Sequence, residues 1–197
     1  WLKNGGQQPF FDVDEIEGPG TDWQSEVLRK AILHNHTLTF SGGSEKSRYS
    51  LSGSYYDQDG IIKNTGAKRG SVRLNMDHRL FDWLRMDFNI NLSRRERFQV
   101  PVDNGNFGST VYSGAVSAPP TLGVFDANGQ YTQIGQAYSF AEATMVNPLI
   151  FSKPYKNRGF TNVLIGNTSF NVDLAEGLTF KTLLGTETHN VATEVFR

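Results

Sequence analysis

The ten residues from Leu84 to Ser93 read Leu-Arg-Met-Asp-Phe-Asn-Ile-Asn-Leu-Ser, apolar and polar in strict alternation. Side chains along a strand point to opposite faces with a period of two, whereas a helix scatters such a pattern around its circumference. The run is therefore a strand, with Leu84, Met86, Phe88, Ile90 and Leu92 on one face and Arg85, Asp87, Asn89, Asn91 and Ser93 on the other. Two environments accept it. One is the half-buried strand of a soluble sandwich. The other is a tilted strand of about 9–11 residues crossing a bilayer, with lipid on one side and a wet lumen on the other.

The same period recurs along the chain. His36, Leu38 and Phe40 oppose Thr37, Thr39 and Ser41, and Tyr49, Leu51, Gly53 and Tyr55 oppose Arg48, Ser50, Ser52, Ser54 and Tyr56. Val72, Leu74 and Met76 alternate with Ser71, Arg73, Asn75 and Asp77. Beyond the Leu84–Ser93 strand, Leu164, Gly166, Thr168, Phe170, Val172 and Leu174 oppose Val163, Ile165, Asn167, Ser169, Asn171 and Asp173. Leu178, Phe180, Thr182 and Leu184 then oppose Thr179, Lys181, Leu183, Gly185 and Glu187. The pattern predicts six antiparallel strands and no helix among them.

The connections alternate in length. Gly42 to Lys46, His78 to Trp83 and Ala175 to Gly177 are short; Asp57 to Arg69 is longer, and Gln99 to Gly159 is very long. Short and long in turn is the rhythm of a membrane barrel, with tight periplasmic turns and long outer loops. A soluble domain rarely carries an irregular loop of about sixty residues, although immunoglobulin-like sandwiches do gather loops at their ends. The long loop holds Pro101, Pro119, Pro120, Pro148 and Pro154, which cannot donate to a ladder, so it stays out of the sheet. Its aromatics, Phe107, Tyr112, Phe125, Tyr131, Tyr138, Phe140 and Tyr155, are too many for a disordered linker and predict order by packing over the barrel mouth or against a lid.

Composition narrows the function. No apolar run of about 18 residues exists to make a spanning helix, and a mean hydropathy of −0.42 is compatible with a barrel because only alternate residues meet lipid. A net charge of −1 gives no basic footprint for nucleic acid. The absence of cysteine removes disulfides and thiolate metal sites. The chain opens Trp1-Leu2-Lys3-Asn4-Gly5 without a signal peptide, so an exported protein is expected to have a start that lies outside this sequence. Phe81 and Trp83 mark one end of the strands and Tyr55, Tyr56 and Phe98 the other, where two interfacial girdles belong.

Other constellations point to little chemistry. His34 and His36 share a strand face without a third metal ligand in sequence, and read as polar residues near a strand end. Asp57, Asp59 and Gly60 lack the remaining spacing of a calcium loop and read as a turn. Arg94-Arg95-Glu96-Arg97 reads as a solvated charge run that in a barrel meets anionic headgroups of the outer leaflet. The acidic Asp12, Asp14, Glu15 and Glu17 read as a solvated loop. No nucleophile elbow, triad order, phosphate-cradling loop or paired-carboxylate geometry is evident, so neither an enzyme nor a cofactor is expected.

Several ordered motifs resemble one family. Thr21-Asp22-Trp23-Gln24, the stretch His36 to Tyr49 with Gly42-Gly43-Ser44-Glu45-Lys46, Tyr56 to Ile62, Lys68-Arg69 and Arg73-Leu74-Asn75 resemble the early barrel of SusC/RagA-type TonB-dependent outer-membrane transporters. Pro119-Pro120-Thr121-Leu122, Phe125-Asp126-Ala127-Asn128-Gly129 and Asn147-Pro148-Leu149 in the long loop are similar to that family too. The resemblance implies an up-and-down barrel of about 22 strands around an N-terminal plug. It further implies energisation by the TonB complex through that plug, a SusD-type surface lipoprotein as lid, and import of oligosaccharides or peptides across a Gram-negative outer membrane. Six strands would leave two open edges, so the chain is expected to be a partial barrel: residues 1–28 an outer loop, 31–98 four strands, 99–159 a long outer loop and 160–190 two strands, without the plug.

Two functional classes stay open on the residues. In an importer, Arg73, Asn75, Arg85, Asp87, Asn89 and Asn91 line the lumen and meet substrate. In a soluble β-sandwich, a surface glycan-binding module, the long loop is the binding face. The two part over one question: whether Leu84, Met86, Phe88, Ile90 and Leu92 face lipid or a second sheet.

Overall fold

The computed structural model describes residues 20–100, 108–137, 144–151 and 156–196. The acidic segment Asp12 to Glu17 and, in the long loop, Pro101, Phe107, Tyr138, Phe140, Pro154 and Tyr155 lie outside them. Six strands form one antiparallel sheet in chain order: β1 (Leu33–Gly43), β2 (Ser47–Asp59), β3 (Gly66–Phe81), β4 (Leu84–Gln99), β5 (Lys156–Ala175) and β6 (Leu178–Phe196). Tight turns join β1 to β2, β3 to β4 and β5 to β6 at one end of the sheet. Gly177 in the last of these has φ +78, a left-handed conformation that glycine adopts without a Cβ penalty.

The register preserves the predicted faces through all six strands. One rung runs Phe40, Leu51, Leu74, Ile90, Gly166 and Thr186; the next runs Leu38, Gly53, Val72, Leu92, Leu164 and Thr188. A slip of one residue would send every apolar side chain to the polar face, so this alignment is strongly specified. Most strands run past their alternating segments. β2 and β3 stay paired through Asp57↔Lys68, Gln58↔Ala67 and Asp59↔Gly66, which cuts the expected Asp57–Arg69 link to a turn over residues 60–65. Backbone ladder bonds need no side-chain pattern, so pairing persists where alternation ends.

No second sheet packs on the apolar face among the described residues. Leu84, Met86, Phe88 and Ile90 are only partly covered and Leu92 is exposed. Leu38 is 62% exposed, Phe40 59% and Leu184 64%, and among the described residues the only buried side chain on the sheet is that of Ser169. A sandwich strand buries this face. Among the described residues nothing covers it in that way.

The chain divides into two compact units, and the strands form one of them, residues 30–99 with 155–197. The other takes residues 1–29 and 100–154, and its described part is built differently. It carries short helices α1 (Trp23–Val27), α2 (Val111–Ser117) and α3 (Ile134–Ala137), and a 3-10 turn at Pro148–Phe151. The Asp22 carboxylate caps α1 by accepting from the Gln24 and Ser25 amides, both at 3.1 Å. Thr110 caps α2 in a reciprocal box with Ser113. Trp23, Val27, Val111, Ala115, Ile134 and Leu149 form a buried core.

This unit is held by pairs of the sequence motifs. The Trp23 indole N–H donates to the Pro119 carbonyl at 2.9 Å, and the Thr21 amide donates to that of Pro120 at 2.8 Å. Asn147, 1% exposed, gives its side-chain N–H to the Val124 carbonyl at 2.9 Å and accepts the Leu149 amide at 3.1 Å. It clamps the base of a hairpin whose turn is set by Asp126, which accepts the Asn128 and Gln130 amides at 2.8 and 2.9 Å. The described parts of the long loop are thus held by a core shared with Trp23 and Val27 and by these clamps.

Candidate functional site

The polar face of the sheet assembles the predicted residues on four consecutive rungs. Arg73 lies opposite Asn91, Asn75 opposite Asn89, Asp77 opposite Asp87 and Arg79 opposite Arg85. All six expected side chains, Arg73, Asn75, Arg85, Asp87, Asn89 and Asn91, therefore belong to one face and one band. The neighbouring strands extend it. Asn167 continues the Asn75–Asn89 rung, Ser169 the Asp77–Asp87 rung and Asn171 the Arg85 rung, and Lys181 lies beyond Asn171 on β6. Asn167, Ser169 and Asn171 alternate correctly in sequence, but only the register shows that they align with Asn89, Asp87 and Arg85.

Within this band the polar groups satisfy one another. One Asp87 carboxylate oxygen accepts from the Ser169 hydroxyl at 2.8 Å and the Asn171 amide at 3.1 Å. Arg85 Nε is 3.9 Å from the Asp77 carboxylate. Asp77 and Asp87 face each other across β3 and β4, a carboxylate pair that the sequence did not disclose. Like charges directly opposite destabilise a sheet, and these donors and cations offset the repulsion. Further along the face, a shallow hollow of ≈ 370 Å³ is lined by Ser52, Ser54, Arg69, Ser71, Arg73 and Asn91, among others. The Ser54 and Ser71 hydroxyls hydrogen bond at 2.6 Å, and the Arg69 guanidinium sits 5.7 Å from the centroid of Tyr56. Tyr56 therefore lies on the polar face, apart from Tyr55 and Phe98, which share the apolar one.

Amides and hydroxyls in this density both donate and accept hydrogen bonds, while the guanidinia only donate. His34 and His36 stack with centroids 6.2 Å apart, and no group of three metal-ligating side chains occurs among the described residues. At the tight-turn end, Phe81 and Trp83 stack at 5.3 Å, both largely exposed.

Known proteins share this arrangement. Solved structures of the RagAB peptide transporter superpose on 88% of this chain, with a TM-score of 0.69 at 25% identity, and the chain covers 19% of that protein. TonB-dependent receptor P3 of Formosa agariphila is 28% identical over 193 residues, and TonB-dependent receptor P26 of the same organism 29% over 163. TonB-dependent receptor SusC of Bacteroides thetaiotaomicron is 28% identical over 115 residues, 58% of this chain. The chain is similar to a segment of SusC/RagA-type TonB-dependent barrels. It spans 19% of the length of P3 and 11% of SusC. No protein-family profile matches it. A single antiparallel sheet with β1 and β6 at its edges is consistent with part of such a barrel.

Proposed function

We propose that this segment is part of the wall of an outer-membrane, TonB-dependent importer, with its apolar face against lipid and its polar face toward a wet lumen. The observation that carries the reading is the sheet itself: on β1 to β4 one face is a row of large apolar side chains that nothing among the described residues buries, and polar rungs of β3 and β4 occupy the other. In water an apolar surface this extensive is a liability; in a bilayer it is matched to its solvent. At about 3.3 Å per residue, β3 to β6, of 16 to 20 residues, exceed the roughly 30 Å hydrocarbon core even when tilted. RagAB, on which the chain superposes, is a peptide transporter, and the resemblance to the SusC type implies a SusD-type lipoprotein partner. On this reading the substrate is an oligosaccharide or peptide, met by Arg73, Asn75, Arg85, Asp87, Asn89 and Asn91. The loop unit, with exposed Tyr112, Val116 and Phe125, supplies partner or substrate surface outside the cell.

The absence of cysteine makes the test direct. In the intact receptor in outer membranes, single substitutions Asn89→Cys and Asn91→Cys should react with a charged, membrane-impermeant maleimide, while Phe88→Cys and Ile90→Cys should resist it. Equal labelling of both sets overturns the lipid and lumen assignment. Arg73→Ala with Asn91→Ala should lower uptake at unchanged surface level; unchanged uptake removes these residues from the substrate path.

A further inference from the structure

The charge run Arg94-Arg95-Glu96-Arg97 is sorted by the pleat. Arg94 and Glu96 lie on the apolar face, in the rungs of Asn162 and Phe160, whereas Arg95 and Arg97 lie on the polar face. Glu96 is taken by Arg158, whose Nε donates to it at 2.8 Å. Arg158 also covers Phe98 and Phe160, at 5.5 and 5.3 Å from their centroids. Arg94 sits 5.1 Å from the Phe160 centroid, and no carboxylate pairs with it among the described residues. An unpaired guanidinium on a lipid-facing strand is costly unless it stands at the interface and finds an anion there.

Below Arg94 the same face is hollowed. A groove of ≈ 840 Å³ is walled by Leu38, Val72, Leu92 and Leu164 and reaches Arg94 at its rim. Its floor lies at Gly53 and Gly70, diagonal neighbours across β2 and β3. A Cβ built on either glycine meets nothing within 4 Å, and neither has positive φ. Neither packing nor backbone geometry requires glycine here; the effect of the two residues is to leave the groove open.

A cation at the rim of an apolar trough matches an amphiphile with an anionic head. We propose that this groove holds one phosphate-bearing lipid of the outer leaflet, its phosphate on Arg94 and an acyl chain over Gly53 and Gly70. The inference rests on the reading of this face as lipid-facing. Its chemistry is specific: bidentate guanidinium–phosphate recognition above, chain burial below.

The test uses the intact receptor, purified in detergent, incubated with phosphatidic acid or with diacylglycerol of the same chains, and read by native mass spectrometry. Wild type should retain phosphatidic acid over diacylglycerol. Arg94→Gln should lower that retention about tenfold, the weight of one lost charge-assisted contact. Gly53→Leu and Gly70→Leu should abolish it by filling the trough, without loss of folded receptor. Arg97→Gln, on the other face, should leave it unchanged. Equal retention of both lipids, or equal effects of Arg94→Gln and Arg97→Gln, overturns the site. Failure of the barrel reading is told apart by the cysteine labelling: if Phe88→Cys resists the aqueous reagent and no lipid is retained, only the lipid site falls.

Discussion

The two units of this chain solve opposite problems with the same residues. The loop unit holds every buried apolar side chain among the described residues: Trp23, Val27, Val100, Val111, Ala115, Ala118, Ile134, Pro148 and Leu149. The sheet holds none of them, yet it is richer in large apolar residues, and they stand exposed in rows. Burial against protein is one way to remove apolar area from water; matching a face to a lipid solvent is another. The first needs a three-dimensional core. The second needs only a pleat.

This contrast can be broken most sharply at Trp23. Trp23→Ala removes a buried indole and the bond to Pro119, and is expected to cost about 3–5 kcal/mol in the loop unit. Hydrogen exchange should show lost protection in α2 with β2 to β4 unchanged; loss in both would mean that the units do not fold independently. The sheet has its own breaking point. Phe88→Arg is expected to cost about 2–4 kcal/mol near the bilayer midplane while Asn89→Arg leaves folding nearly unchanged, as measured by refolding into vesicles. Equal damage from both would erase the distinction between the faces.

Smaller changes sharpen the comparison. Asn147→Ala removes the side-chain bonds to the Leu149 amide and the Val124 carbonyl, and should cost about 1–3 kcal/mol, seen as faster exchange in the hairpin that holds Asp126. Thr110→Ala removes the cap of α2 and should cost about 0.5–2 kcal/mol, measured in the same experiment. Lys68→Ala, which removes an exposed ion pair with Asp57 at 3.1 Å, should leave stability nearly unchanged in thermal unfolding, since water and salt screen such pairs. A large effect there would show that the outer strand ends sit in a drier environment than their exposure indicates.

The sheet was more legible in sequence than the loop unit, and the candidate site lay between. The alternation through Leu84–Ser93 names both faces of β4 without reference to any other residue, and the six expected polar side chains do share a face. The Asp77–Asp87 pair was not legible, because opposition across strands depends on register. The helices of the loop unit were missed as well. They are short, and their stability comes from the buried core and from clamps such as Trp23 to Pro119, residues 96 positions apart.

By itself, then, the amino-acid sequence determined the strands, their turns and which side of each strand is apolar, because a period of two and a glycine at positive φ are local facts. Tertiary structure alone decided how far β2 and β3 pair beyond their alternating stretches, which polar residues meet on a rung, and how Asn147 ties Val124 to Leu149. Those outcomes depend on contacts between distant segments, whose partners become defined only when the ladder is in register and the core is closed.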